Sequence, residues 1–536
     1  IQPMLSGNTV KSVSGKIDLD ASKLKVEMKG GTFRKTDGMS LKLDAQFIGS
    51  EQETLLRGLD LQFADFKFHG KGRILSGPLS AKLEITTDPG TIRLEKLQAF
   101  VPMLEPYQLR GLTDFSVSLD WKPEALRANG DLKISDGSFF VKDMLKAPLQ
   151  FRLQTGFSES SLNITRASLS GPDTEVELTG SVRNFLAPQF TAALTGKSFN
   201  VDKTLVLPSE AQGKSAALFS LIPQAFAEKA ADVNPMLALA KNPAVANAAG
   251  VLTAKLGKIA VYGANLEQLN AKLLLQSMVL KVQDGSFRTF SGQVKTVGEF
   301  DLKSPGLTYR SQGNVSGISA KEAMKSYFPK YQNTLEGMVD ASWNVSGSAY
   351  PASARIRNLK GTAKLMAKDG SVKSVDFQES INAAISKVPF LKNQKPIKVD
   401  NGFKSLSADV KMDNGTIHAE PIEILPKGQG FVVKGKSSIL ESLEQDTYLD
   451  VYDPQNQLPK EFHSPGKPAI PLRIFGPLTS PKTDYEYTVK KLASTAGQNA
   501  LKEQAYKVLG VDNSPGKSDK DKLKDAADQL RKKFGF

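Results

Sequence analysis

Gly361-Thr-Ala-Lys-Leu-Met-Ala-Lys-Asp369-Gly370-Ser371, followed by Val375-Asp-Phe377-Gln-Glu-Ser-Ile381-Asn-Ala-Ala-Ile385-Ser-Lys-Val388, Phe403-Lys-Ser-Leu406-Ser-Ala408-Asp-Val410-Lys-Met412-Asp-Asn414-Gly415-Thr416 and Phe431-Val-Val-Lys-Gly435-Lys-Ser-Ser-Ile439, is the stretch on which the fold turns. Leu406, Ala408, Val410 and Met412 alternate with Ser405, Ser407, Asp409 and Lys411. That period of two marks a strand with one apolar and one wet face. Asp369-Gly370 and Asn414-Gly415 tolerate positive φ and read as tight hairpin turns. Val375 to Val388 carries apolar residues at helical spacing and reads as a short helix.

The alternation extends outward through the chain. Leu41, Leu43, Ala45 and Phe47 show it, as do Leu79, Ala81, Leu83 and Ile85. Phe115, Val117, Leu119 and Trp121 alternate with Asp114, Ser116, Ser118 and Asp120. Leu149, Phe151 and Leu153 follow, then Val176 and Leu178, then Phe190, Ala192 and Leu194. Leu335 to Val345, with Val339, Ala341 and Trp343, is the longest clean run. Turn-rich clusters about every 8–12 residues predict an all-β meander of about 25–30 mainly antiparallel strands. Asp136-Gly137-Ser138, Asp284-Gly285-Ser286, Asp369-Gly370-Ser371 and Asn414-Gly415-Thr416 share one form at unequal spacings, a loose internal repeat without a strict solenoid period.

Two stretches break the pattern. Ser209 to Gly250 is rich in alanine and cut by Pro223, Pro235 and Pro243, which predicts short helices in an insertion or linker. After Pro481 the spacing of Tyr485, Val489 and Leu492 predicts helix, continued from Ala500 to Val508. A break follows at Gly510 to Gly516, then an amphipathic tail with Leu523, Ala526 and Leu530 on one side. The expected organisation is an N-terminal β region over 1–208, the insertion over 209–250, a C-terminal β region over 251–482 and a helical tail over 483–536.

Composition narrows the function. With no cysteine, disulfides, thiolate metal sites and cysteine nucleophiles are excluded. His69, His418 and His463 are the only histidines and none has metal-ligand spacing. No G-x-S-x-G elbow, phosphate loop or dinucleotide fingerprint is present, so no catalytic, metal or cofactor site is expected. A net charge of +14 favours anionic partners such as lipid headgroups or nucleic acid. The phenylalanines, however, fall on the apolar phase of the strands, as Phe115 and Phe151 do, which argues for burial and against base stacking. Nucleic acid is therefore not an expected partner. No apolar run is long enough to span a bilayer as a helix. The chain starts at Ile1-Gln2-Pro3 without an initiator Met or signal peptide, as a processed or truncated chain would.

The order strand, Asp-Gly-Ser, short helix with Phe377, strand, Asn-Gly-Thr, and a strand entering Val433-Lys434-Gly435 resembles the C-terminal region of the AsmA family. Pro471-Leu-Arg-Ile-Phe-Gly476-Pro-Leu-Thr-Ser-Pro481 is similar to that family's closing motif. The resemblance covers residues 250 to 485, and the first 200 residues match only in style.

So many one-sided strands need a cover, since each fully buried Leu or Phe contributes roughly 1.5–3 kcal/mol. Alternation alone leaves open a two-sheet sandwich or a single sheet curled into a gutter whose apolar face is covered partly by acyl chains. The resemblance implies the second: a long twisted antiparallel sheet forming an apolar groove, with short helices and a helical C-terminal tail. It implies a non-enzymatic lipid carrier without cofactor, moving phospholipids through the periplasm between inner and outer membranes. It also implies an inner-membrane anchor outside this chain and outer-membrane proteins as possible partners. The expected groove lining is Phe115, Val117, Leu119, Leu149, Phe151, Leu153, Val176, Leu178, Val339, Ala341, Val345, Leu406, Ala408 and Val410. The alternative is a periplasmic scaffold or assembly factor that engages outer-membrane β-proteins by strand addition.

Overall fold

A computed structural model describes residues 2–6, 9–27, 34–77, 79–90, 92–206, 234, 236–261, 263–327, 334–351, 354–373, 377–387, 395–396, 402–428, 431–453, 463–464, 467–478, 480–509 and single positions between 521 and 528. The protein is mainly β, 65% strand and 15% helix. Among the described residues it has 29 strands, within the range the turn spacing predicts. It divides into two compact units, one running to Arg288 with Glu299–Pro305 added, the other from Gly306 onward with Thr289–Gly298 added.

The first unit is built on fifteen long strands: β1 (Gln2–Ser6), β2 (Thr9–Asp20), β3 (Leu41–Gly49), β4 (Glu53–Phe63), β5 (Phe66–Ser76), β6 (Leu79–Thr87), β7 (Arg110–Lys122), β8 (Ala125–Phe139), β9 (Leu149–Ser158), β10 (Ser161–Gly171), β11 (Thr174–Arg183), β12 (Gln189–Asn200), β13 (Ala249–Val261), β14 (Ala264–Gln276) and β15 (Val279–Thr289). Each pairs with the next in sequence. All these pairs are antiparallel except β12 and β13, which run parallel from Gln189↔Ala249 to Asn200↔Ala260. Parallel neighbours cannot be joined by a hairpin and need a connection of a dozen or more residues. The insertion between them is that connection. Its described parts include the short helices Met236–Ala240 and Pro243–Ala246; the strand that follows already starts at Ala249, and residues 209–233 and 235 of the expected helical stretch lie outside the described residues.

The second unit repeats the plan with β16 (Thr308–Ser319), β17 (Leu335–Ser348), β18 (Lys360–Val372), β19 (Gly402–Asp413), β20 (Thr416–Pro426), β21 (Val432–Leu440), β22 (Glu444–Tyr452) and β23 (Lys467–Pro477), each antiparallel to the next. Among the described residues its helices longer than one turn are α1 (Ala320–Tyr327), α2 (Phe377–Ser386) and α3 (Tyr485–Leu509). The Ser319 hydroxyl accepts from the Glu322 N–H at 3.4 Å and so caps the start of α1. The amphipathic tail with Leu523, Ala526 and Leu530 lies outside the described residues.

The Asp-Gly dipeptides divide into two kinds. Asn414-Gly415 is the expected hairpin turn, with φ of 48° and 76°, a pair of positive values that suits a two-residue hairpin. Asp136-Gly137 and Asp369-Gly370 are not turns. They lie inside β8 and β18, with Asp136 at φ 52° and Asp369 at φ 48°. Pairing shifts between Ile134 and Gly137 on β8, and between Glu336 and Met338 opposite Asp369 on β18. These are bulges, where one extra residue bends the strand and increases its twist. Further shifts occur at Gln154/Thr155, Ile164/Ala167 and Glu175/Val176 on successive strands, each bending its strand; the sheet is not closed into a barrel.

Candidate functional site

Residues directly opposite each other in a ladder share a face, so the register assembles faces from the strands. One row across the first unit reads Ile17, Ala45, Leu59, Gly70, Ile85, Val117, Gly130, Phe157, Leu162, Val182, Phe190, Gly250, Leu275 and Leu280. Every member is apolar or glycine. The row one residue away, on the other face, runs Asp18, Asp44, Asp60, His69, Thr86, Ser116 and Asp131. In the second unit the corresponding apolar row is Val315, Ala341, Leu365, Ala408, Ile422, Gly435, Leu449 and Leu472. The polar row beside it includes Asn314, Ser342, Lys364 and Asp409.

All the residues expected to line a groove lie on these apolar faces. Phe115, Val117, Leu119, Leu149, Phe151, Leu153, Val176 and Leu178 share the face of the first unit, and Val339, Ala341, Val345, Leu406, Ala408 and Val410 that of the second. Leu149, Ala408 and Val410 are buried, and the other eleven are half-buried. Partial exposure is the informative feature. A sandwich would press a second sheet on the face, yet among the described residues the other sheet is a two-stranded ribbon, Val26–Glu27 with Arg34–Lys35.

Two places on the apolar faces are covered. In the first unit the segment Ile92 to Val101 lays Phe100 edge-on against Phe63 and Phe66, at ring-centre distances of 5.0 and 5.3 Å. In the second unit α2 and α3 close the face of β21–β23. Ile381, Ile385 and Leu492 pack there with Val433, Leu449, Val451, Ile470 and Leu472, and Ile381, Val451, Ile470 and Leu472 have no exposed surface. The Ser380 and Thr483 hydroxyls meet at 3.0 Å beside this cap. Away from it, Leu365 on β18 is 40% exposed. Sequence reasoning missed the cap, although Ile381 and Ile385, four apart, already marked an apolar helix face.

Aromatic rings on these faces lie over glycines. A Cβ on Gly15 would come 2.6 Å from Phe47 Cζ, on Gly137 2.7 Å from Phe151 Cζ, on Gly313 2.5 Å from Trp343 Cζ2 and on Gly370 2.6 Å from Phe403 Cζ. Phe115 and Phe157 stack at 5.9 Å. The bulges are part of this arrangement. Gly111 faces the Asp136-Gly137 bulge and Gly337 the Asp369-Gly370 bulge, both with φ of 127°. The next strand then supplies Phe151 or Phe403 over the bulge glycine. Asp136-Gly137-Ser138 and Asp369-Gly370-Ser371 thus belong to a three-strand module, built once in each unit, whereas Asp284-Gly285 lies in β15 paired with Lys272 and Ala271 and without a positive φ at Asp284.

The opposite face carries the charge. Ion pairs such as Arg166–Glu177 (2.8 Å), Lys368–Asp340 (2.7 Å) and Lys434–Glu423 (2.8 Å) cross its strands, each contributing little at such exposure. His69 is held between Asp60 (2.6 Å) and Asp88 (3.3 Å), and these hydrogen bonds raise its pKa. Arg473 donates from Nε to Asp446 (2.9 Å) and from Nη1 to Asp484 (3.2 Å), and holds Asp446 below the usual carboxylate range. No cluster among the described residues could hold a metal ion, and none of the described helices is long and apolar enough to cross a membrane.

A mainly β sheet, not closed into a barrel and carrying an apolar row across each of its two units, defines the class of protein. The AsmA family model matches residues 146–422, just over half of the chain, and the chain belongs to the AsmA family. The match begins nearer the N-terminus than the resemblance at 250 to 485 and stops before Pro471–Pro481. The family is non-enzymatic and associated with the cell envelope. No curated protein and no solved structure matches the chain.

Proposed function

We propose that this protein is a non-enzymatic lipid carrier that moves phospholipids through the periplasm between inner and outer membranes, holding their acyl chains against the apolar faces of its sheets. One observation carries the reading: an unbroken apolar row crosses each unit and is left half-exposed over most strands. Exposed apolar patches beyond a few hundred Å² are rare on soluble proteins and mark sites of binding. The charged opposite face and the bent strands suit a trough that takes chains on one side and stays in water on the other. The scaffold alternative would act through a bare sheet edge, and that of β23 is shortened at both ends, by His463–Ser464 at Lys467 and Pro468 and by Lys482–Thr483 at Ile474 and Phe475.

The test places a carboxylate on the apolar face. Desolvated among acyl chains it costs several kcal/mol or takes up a proton. Phe151→Asp and Ala408→Asp are compared with Ser407→Asp on the polar face. The expected outcome is phospholipid in an organic extract of the wild-type and Ser407→Asp proteins by mass spectrometry, and its loss from the other two with the circular dichroism spectrum retained. Absence of lipid from the wild-type protein after expression in a cell with an outer membrane overturns the proposal.

A further inference from the structure

We infer that the glycines opposite the aromatic rings set the clearance of the proposed groove: each lets a ring lie flat along the sheet where any side chain would make it stand into the path of an acyl chain. The inference rests on the lipid-carrier reading and adds the residues that keep the path open. In an antiparallel pair an opposed Cβ sits about 4.5–5.5 Å away, so a ring next to an ordinary residue rises from the sheet. Here the rings occupy the space the missing Cβ would take. The pattern recurs at Gly15/Phe47, Gly130/Phe157, Gly137/Phe151, Gly313/Trp343 and Gly370/Phe403, with would-be contacts of 2.5–2.7 Å. Those distances are well inside the 3.5–4.0 Å optimum for two carbons. The rings therefore add apolar area to the floor and little height.

Strand curvature alone would also favour glycine, but it does not require a ring across from it. Gly15 separates the two explanations. Its φ lies outside the left-handed region, and the three atoms nearest its would-be Cβ all belong to the Phe47 ring: Cζ (2.6 Å), Cε1 (2.9 Å) and Cε2 (3.4 Å). The atoms a methyl there would crowd first, those under 3.4 Å, are ring atoms and not backbone. At Gly130 and Gly313 a neighbouring backbone oxygen is also close, so a substitution there would disturb the ladder too.

The experiment uses the full chain with a benzoylphenylalanine photo-crosslinker in place of Ile17, the next residue on the same face as Gly15, and vesicles containing radiolabelled phosphatidylethanolamine. Gly15→Ala is expected to lower the lipid crosslink at least fivefold with an unchanged circular dichroism spectrum. Gly15→Ala with Phe47→Leu is expected to return it to within twofold of the parent, because the shorter side chain clears the methyl. A merely structural glycine would not be rescued in this way. An undiminished crosslink in Gly15→Ala, or a loss that Phe47→Leu leaves in place, overturns the inference while the lipid-carrier reading stands. No crosslink from the parent protein overturns both at this position. Should Gly15→Ala misfold, the ring pair Gly137/Phe151 decides instead: Gly137→Ala is expected to lower the crosslink from a benzoylphenylalanine at position 153 and Phe151→Leu to restore it, and an undiminished or unrescued crosslink overturns the inference.

Discussion

Truncating two leucines that occupy the same face distinguishes a capped end from a bare trough. Leu492 of α3 is 1% exposed inside the cap, whereas Leu365 of β18 is 40% exposed on the same apolar face. Leu→Ala removes about three carbons' worth of burial at roughly 0.8 kcal/mol each, about 2.4 kcal/mol for a fully buried side chain. In a packed cluster the cavity adds to this, giving about 3–5 kcal/mol for Leu492→Ala. At Leu365 only about three-fifths of the side chain is out of water and no closed cavity forms, so the loss is about 1–1.5 kcal/mol in lipid-free protein. The assay is urea unfolding followed by the fluorescence of Trp343, which lies in the second unit, in a Trp121→Phe background that silences the tryptophan of the first. The expected difference is therefore about 1.5–4 kcal/mol. Equal losses at the two sites would refute the reasoning, since Leu365 would then be covered as tightly as Leu492. If lipid fills the trough, the cost of Leu365→Ala should rise when phospholipid is bound and that of Leu492→Ala should not.

Two further outcomes concern charge. Because its folded pKa is raised by Asp60 and Asp88, His69 contributes stability that is fully present below its ordinary value near 6.5 and is lost as pH rises through the folded value. An NMR titration of the His69 ring should show the raised midpoint, and Asp60→Asn should move it down; no movement would mean the hydrogen bond is not made in solution. Asp446 has the opposite sign, held low first by Arg473 and then by the Tyr448 hydroxyl. Its contribution is present above the ordinary carboxylate value and is lost as pH falls through the lower folded value. Asp446→Asn should therefore remove part of the acid-induced loss of stability of the second unit, measured by Trp343 fluorescence between pH 5 and 2.

The period-two pattern was enough to assign strands and faces, because a strand's side chains alternate whatever it pairs with. Phe115, Phe151, Val339 and Ala408 could be placed on one apolar phase for that reason, and the one-sided wetting of each strand followed from the same residues. Asn414-Gly415 declared its hairpin through local φ preference alone. Asp136-Gly137 and Asp369-Gly370 carry the same local preference, yet they are bulges within strands, because whether a positive-φ residue reverses the chain or kinks it depends on how far the neighbouring strand continues. The parallel join of β12 to β13 was likewise beyond local reading: an insertion in the sequence shows that a connection is long, and only the assembled ladder shows where it returns. The cap is the clearest case. Ile381, Ile385 and Leu492 each announce an apolar helix face, but what such a face covers is decided by packing between segments far apart in the chain. Alternation determines that an apolar face exists; tertiary structure decides that α2 and α3 cover it over β21–β23 and that most of the remainder stays half-exposed, because burial is a property of what arrives from elsewhere and not of the strand itself.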